Sequence, residues 1–242
     1  IPSGNVLPFI EAMRKGGVEF VLTAHEGSAS FAADSMGRVT GKPGLCIATL
    51  GPGATNLATG VGSAYLDRSP MIAITCNLNT PLLGRRIQML IDHHGLFKPI
   101  TKATLAARHD NVAEVMEEAV RIALAEPQGP VHIDLPEDVS LAEAKGSPSG
   151  PIAAEALAIK ASDAEIDGTA ARIAAAFRPV AVIGMSAMRM GDPAKLLAFI
   201  EKHNIELTRN SEMLAKVEPM TIKYGCLTNN HTVLLLRALN AG

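Results

Sequence analysis

Apolar positions in the first part of the chain switch repeatedly between two spacings. Val6, Phe9, Ile10 and Met13 recur at i, i+3, i+4 and i+7, which predicts an amphipathic helix over Val6 to Arg14, closed by Gly16 and Gly17. Val18 to Thr23 is a short apolar run of the kind a buried strand shows. A second helix is expected over Glu26 to Thr40, with Phe31, Ala32, Met36 and Val39 as its stripe and Gly41-Lys42-Pro43 as its stop. Leu45 to Leu50 then reads as a strand, Ala54 to Tyr65 as a small-residue helix and Met71 to Cys76 as a fully apolar strand. Asn77 to Pro99 is irregular and carries Arg85-Arg86 and Asp92-His93-His94. Val112 to Ala125 reads as a helix, and Pro130 to Leu135 as a strand entered through a Pro-Gln-Gly turn. Strands alternating with helices are the pattern of βαβ units, so the expected fold is α/β, a doubly wound and mostly parallel sheet.

The character changes near residue 136, where Pro-Glu-Asp gives way to Lys-Gly-Ser-Pro-Ser-Gly-Pro and an Ala-rich stretch. That composition predicts a linker at 141–162 after a first domain at 1–140. Further β/α material follows at 163–218, with a helix over Ile166 to Phe177, a strand over Val180 to Gly184 and a helix over Pro193 to His203. Beyond about Thr208 the pattern loses regularity, and only Thr232 to Asn240 reads as helical, within a last segment at 219–242. The second unit is shorter than the usual ~100 residues of a domain, so an incomplete Rossmann-like domain is expected.

The composition narrows the function. With 48% hydrophobic and 19% charged residues the chain has the balance of a globular protein with a core. Its 22 Lys+Arg and 24 Asp+Glu give a formal net charge of -2, which supplies no field for nucleic acid or for an anionic membrane. No apolar run approaches the ~18 residues that would cross a bilayer. Cys46, Cys76 and Cys226 are widely spaced without a Cys-x-x-Cys pair, which argues against a disulfide framework or structural zinc. A cytoplasmic pocket protein that binds a small molecule, with no metal ligands of its own, is the expectation. The chain opens on Ile-Pro-Ser-Gly-Asn, a turn-like start without Met, and reads as a piece of a longer protein.

Few residues combine a chemical side chain with a suggestive position. Glu26 follows the expected strand Val18 to Thr23 and opens a helix, the end of a parallel sheet where ligands bind; a Glu in a first turn also serves the helix dipole. His25 beside it is as well explained by capping. Gly51-Pro52-Gly53-Ala54-Thr55-Asn56 puts two glycines between a strand and a helix N-terminus, which lets backbone N–H groups approach a ligand. Asn56 stands where a dinucleotide fingerprint would carry its third Gly, so the string serves equally as a tight turn. Gln88, Asp92, His93 and His94 form a polar cluster on irregular chain, where solvated side chains are ordinary.

Taken in order, AHEGSAS, TGKPG, LGPGATN, AYLDRSP, PITK and PQGPVHIDLPEDV resemble the pyrimidine-binding domain of thiamine diphosphate-dependent enzymes, most of all their acetolactate synthase-like branch. The resemblance covers 1–140 without the family's first strand, and RPVAVIGMSAMRMGDPAKLLAFIEK resembles the opening of the family's central domain. It implies that Glu26 is catalytic and hydrogen-bonds N1′ of the cofactor's aminopyrimidine, promoting the C2 ylide that attacks a 2-oxo acid such as pyruvate. Loss of CO2 then leaves an enamine, which a carboligase passes to a second carbonyl and a simple decarboxylase protonates. It places Pro52, Gly53 and Asn56 at the cofactor, and His25 and Gln88 beside a substrate pocket. Burial is expected to raise the pKa of Glu26.

The family holds the diphosphate through Mg2+ on a separate domain bearing Gly-Asp-Gly, and no such string occurs here; Gly191-Asp192-Pro193 comes nearest. TVLLLRALNAG resembles the start of that domain, so a break is expected between about Leu207 and Thr232. FAD in the central domain has no support from these residues. The resemblance also implies a homodimer or homotetramer with the active site at the subunit interface. A non-catalytic homologue that keeps the fold as an assembly module is the alternative.

Overall fold

The computed structural model describes residues 3–143, 145, 150, 161–182, 192–208 and 237–238. The chain divides into two compact units, Ile1–Ala156 and Leu157–Gly242. The first contains α1 (Leu7–Lys15), α2 (Glu26–Thr40), β1 (Gly44–Ala48), α3 (Pro52–Asp67), β2 (Met71–Asn77), α4 (His93–Phe97), β3 (Ala103–Ala106), α5 (Val112–Leu124), β4 (Pro130–Pro136) and α6 (Glu137–Leu141). Its four strands form a parallel sheet in the order β1-β2-β4-β3. This is the doubly wound α/β fold that the alternating pattern predicts.

Strand periodicity explains the two layers. Side chains alternate across a sheet, so Ile72, Ile74 and Cys76 of β2 share one face with Val131, Ile133 and Leu135 of β4, and this face packs with Val6, Ala119 and Ala123. Cys46, Ala48, Met71 and Ala73 point to the other face, toward Leu57, Val61 and Ala64 of α3 and Phe97 of α4. Every residue of β2 and of β4 is buried, as expected where helices cover both sides. The second face is built from small residues and brings α3 close to the sheet, while α2 lies against α3. At Gly60 of α3 an added Cβ would overlap Ser30 Oγ and would stand 2.7 Å from Ser30 Cβ and 2.9 Å from the backbone nitrogen of Phe31.

The structure corrects one strand. Val18 to Thr23 pairs with no strand among the described residues, and Val18, Val21 and Leu22 are 55%, 75% and 65% exposed. A short apolar run shows what a strand could bury but supplies no neighbour to complete its hydrogen bonds, and the β1 edge does not reach this segment. Conversely, Ala103–Ala106 forms β3 although its sequence is unremarkable, because it lies beside β4 and takes the register Ala103↔Val131 to Ala106↔Asp134.

The second unit holds α7 (Asp163–Ala175), β5 (Pro179–Val182), α8 (Pro193–Lys202), β6 (Glu206–Thr208) and β7 (Arg237–Ala238). α7 starts on a capping box, in which Ser162 and Glu165 satisfy each other's backbone N–H groups. Ile173, Ala181, Ile200 and Ile205 form its core cluster. β5 pairs in parallel with β6 and antiparallel with β7. Of the helix expected over Thr232 to Asn240, the described residues Arg237 and Ala238 are therefore strand, because ladder hydrogen bonds to β5 override the local helical propensity of Arg and Ala. The rest of that helix, Gly184, Gly191 and most of the expected linker lie outside the described residues.

Gly60→Ala tests the α2–α3 contact with opposing terms. Alanine inside a helix is favoured over glycine by about 1 kcal/mol, whereas forcing a methyl against fixed neighbours costs about 1–3 kcal/mol. Because Phe31 N is backbone and Ser30 is fully buried, the substitution is expected to lower the urea midpoint. A raised midpoint would show that the two helices do not meet at this point.

Candidate functional site

Glu26 occupies the first turn of α2, where an acidic side chain meets the positive end of the helix dipole, and it is 4% exposed. Its Oε2 accepts a hydrogen bond from Asn56 Nδ2 at 3.1 Å, which ties α2 to α3. Burial pushes the Glu26 carboxyl up, but the Asn56 hydrogen bond and its own backbone N–H outweigh this and hold it below the usual carboxylate range. The expectation of a raised value is thus overturned, because burial here comes together with donors.

The other candidates divide between the turn and the surface. His25 is exposed and is the N-cap of α2; its Nδ1 accepts from the Gly27 N–H at 3.0 Å. Pro52 is exposed at the first position of α3, and Gly53 is buried with its Cα side facing Thr49. Gly51 before them has φ 59 and ψ -112, a conformation side chains avoid, and an added Cβ would overlap the carbonyl oxygen of Met89 and stand 3.1 Å from its carbon. Gln88 is exposed on the irregular segment next to Met89. The structure therefore brings Glu26 and Asn56 into contact and leaves His25 and Gln88 at the surface.

Sequence reasoning missed a buried polar cluster beside the same turn. Thr75 and Asn77 of β2 and His132 and Asp134 of β4 sit on the small-residue face, and His93 of α4 closes over them; all are at most 6% exposed. Asp134 Oδ1 accepts from His93 Nδ1 at 2.9 Å, and both its oxygens accept from Asn77 Nδ2 at 3.0 Å. Thr75 Oγ1 stands 2.8 Å from His132 Nε2 and 2.9 Å from His93 Nδ1. His93 Nε2 accepts the Gly51 N–H at 3.3 Å. The signal was available as polar residues at i and i+2 within two otherwise apolar strands, Thr75/Asn77 and His132/Asp134.

Asp134 and His132 are displaced from their ordinary values for different reasons. Burial pushes Asp134 up, and the hydrogen bonds from His93 and Asn77 pull it back below the usual range. His132 is pushed down to about 3 by burial and is neutral; its ring stacks on Phe97 at 4.3 Å, and its Nδ1 has no hydrogen-bond partner among the described residues. Burial also pushes the thiols of Cys46 and Cys76 up to about 12, which makes them unreactive core residues.

His93, His132 and Asp134 lie close enough to share a metal ion, but the hydrogen bonds argue against one. A metal on His93 Nδ1 would put the ring proton on Nε2, facing the Gly51 N–H, so two donors would oppose each other. The arrangement instead suits a neutral imidazole held between a carboxylate and a backbone amide.

Residues 1–99 match the family described as thiamine pyrophosphate enzyme, N-terminal TPP binding domain. The chain thus carries the pyrimidine-side domain of a thiamine diphosphate-dependent enzyme. It is 36% identical over 241 residues to a probable acetolactate synthase large subunit of Methanococcus aeolicus, covering 97% of this chain and 38% of that protein. It is 36% identical over 227 residues to the acetolactate synthase isozyme 1 large subunit of Escherichia coli, covering 92% of this chain and 40% of that protein. A probable acetolactate synthase large subunit of Methanocaldococcus jannaschii is 45% identical over 139 residues, covering 57% of this chain and 24% of that protein. The chain belongs to the thiamine diphosphate-dependent, acetolactate synthase-like family, and it spans about two fifths of the length of the first two relatives.

Acid stability reports the cluster. His132 is neutral when folded and gains a proton when unfolded, so stability falls as pH drops below the ordinary histidine value of about 6.5 toward about 3. The depressed Asp134 contributes stability above the usual carboxylate value, which is lost as pH falls further. In His132→Leu the slope of unfolding free energy between pH 6.5 and 4 is expected to shrink by up to about 1.4 kcal/mol per pH unit. An unchanged slope in urea titrations would place His132 in a solvated environment.

Proposed function

We propose that this chain supplies the pyrimidine-side half of a thiamine diphosphate site, in an enzyme that joins 2-oxo acids such as pyruvate to a second carbonyl. The observation that carries the reading is Glu26, a buried carboxylate at a helix N-terminus and oriented by Asn56. The donor set fits an aminopyrimidine: Glu26 offers an acceptor for a protonated ring nitrogen, and the turn at Gly51-Pro52-Gly53 lies at the start of the helix that carries Asn56. Thiamine diphosphate, when bound, supplies the electron sink that makes decarboxylation of a 2-oxo acid accessible.

The protein's own residues act on position and on one proton. The ionised Glu26 carboxylate accepts a hydrogen bond at N1′ and holds the proton there, and Asn56 keeps the carboxylate turned toward that contact. The Pro52 and Gly53 turn presents backbone to the ring, and Gly53 carries no side chain because a Cβ there would stand 2.7 Å from Thr49 Cγ2. His25 caps α2 and is assigned no contact with reacting atoms, and Gln88 is left as a surface candidate for substrate contact. The metal-ligating candidates are mainly nitrogen donors, which suit a hard cation such as Mg2+ poorly, so no magnesium step is derived through them. FAD has no part in this reading. Completion of the site by a second subunit, in a homodimer or homotetramer, and a domain boundary near 140 belong to the same proposal.

Glu26→Gln in the full-length protein tests the reading. It keeps size and polarity but cannot hold the ring proton, so acetolactate formation from pyruvate is expected to fall about 10²–10⁴-fold. Near wild-type turnover would overturn the role of Glu26, and acetaldehyde as the sole product of the wild type would favour a simple decarboxylase.

A further inference from the structure

Glu26 accounts for one side of the turn between β1 and α3; the other side is held by a residue that no part of the proposed chemistry uses. The first N–H groups of a helix have no intrahelical partner, and Gly51, the N-cap of α3, points its N–H at the ring of His93, with 3.3 Å to Nε2. A donor on that side requires a lone pair on Nε2 and so puts the ring hydrogen on Nδ1, where Asp134 Oδ1 accepts it at 2.9 Å. Asp134 is fixed in turn by Asn77 Nδ2, 3.0 Å from both oxygens. Gly51 cannot swing freely, because Met89 packs against the place of its absent side chain. Asn56 lies little more than one turn along α3 and bonds Glu26, so the angle at which α3 begins sets where Asn56 holds the carboxylate.

We propose that His93 is a positioning residue: its Nε2 fixes the Gly51-Pro52-Gly53 turn, and Asp134 selects the tautomer that makes this bond available. The inference rests on the thiamine diphosphate reading for its effect on binding, while the contact itself is independent of that reading. His93 touches no reacting atom. It acts through a backbone amide, and only the acceptor at Nε2 matters for the turn.

Two amide substitutions in the full-length protein separate that acceptor from simple filling of space. In His93→Gln the amide oxygen reaches the position of Nε2 and can accept from Gly51. In His93→Asn the amide nitrogen stands near Nδ1 and still serves Asp134, but nothing reaches Gly51. Thiamine diphosphate binding in the presence of Mg2+ is expected to weaken about fivefold to tenfold in His93→Asn, the worth of one buried hydrogen bond. It should stay within about threefold of wild type in His93→Gln. Hydrogen exchange followed by mass spectrometry should show faster exchange of the peptide containing Gly51 in the Asn variant alone. Equal losses of affinity in both variants, tracking their melting temperatures, would reduce His93 to a packing residue and overturn the proposal. Unchanged exchange at Gly51 in the Asn variant would do the same. Failure of the wild type to bind thiamine diphosphate would instead overturn the functional reading and, with it, the binding half of this one; the exchange measurement then decides whether His93 holds the turn.

Discussion

A sheet buried on both faces leaves no water to satisfy a polar side chain, so each polar group that enters it has to bring a partner. In β2 and β4 polar side chains gather at one place and bond one another there, with His132 Nδ1 left without a hydrogen-bond partner among the described residues. Thr75 lies beside Asp134 in the register, and alternation sends Thr75, Asn77, His132 and Asp134 to the same face. The apolar halves of these strands form the ordinary core, with Ile72, Ile74, Val131 and Ile133 on the opposite face. Leaving one member of such a set without its partner costs about 1–3 kcal/mol, more for a charge, so the cluster is rigid and its geometry is passed on to whatever touches it. His93 touches it from α4 and touches Gly51 with its other nitrogen.

Two of the buried acidic groups, Glu26 and Asp134, resolve burial in the same way with different neighbours. Glu26 has the positive end of α2 and the amide of Asn56; Asp134 has an imidazole and the amide of Asn77. Both are held below the carboxylate range although burial alone would raise them. The consequence for chemistry is that Glu26 presents an ionised acceptor in this state of the protein and has no proton of its own to give.

Legibility in the sequence follows the range of the forces involved. α2 spans Glu26–Thr40 and stops at Gly41 in the left-handed conformation, as its terminal glycine predicts, because helix ends are set within a few residues. Its expected stripe of Phe31, Ala32, Met36 and Val39 is instead exposed, and the buried face carries Gly27, Ser30, Ala33 and Gly37, since small residues let α3 approach. β2 was readable from its apolar run and β4 from the Pro-Gln-Gly turn that leads into it. Val18 to Thr23 was misread and β3 was missed for one reason: a strand is completed by a neighbour distant in sequence, and neither the lack of a partner beside Val21 nor the presence of β4 beside Thr104 is written locally. Glu26 was singled out as a residue that opens α2, and it does so, although the strand expected before it does not form among the described residues. His93 was seen only as one of a polar group on irregular chain, since its role depends on an amide 42 residues away.

The orientation of the Gly51 amide also decides how the charge on Asp134 is balanced. An imidazolium at His93 would give Asp134 a buried ion pair, but its second N–H would oppose the Gly51 N–H. With the lone pair kept on Nε2, the carboxylate is balanced by neutral donors, Nδ1–H of His93 and Nδ2 of Asn77, with the Thr75 hydroxyl at 3.4 Å. Hydrogen bonds to a charged group are worth about 1.5–3 kcal/mol each, and the desolvation they oppose is several kcal/mol for one ion, so two or three of them are of the right size. A cation there would neutralise the charge with fewer contacts but would release the turn. The cluster therefore favours many weak neutral donors over one strong one, since only the neutral ring can serve the carboxylate and the amide at once.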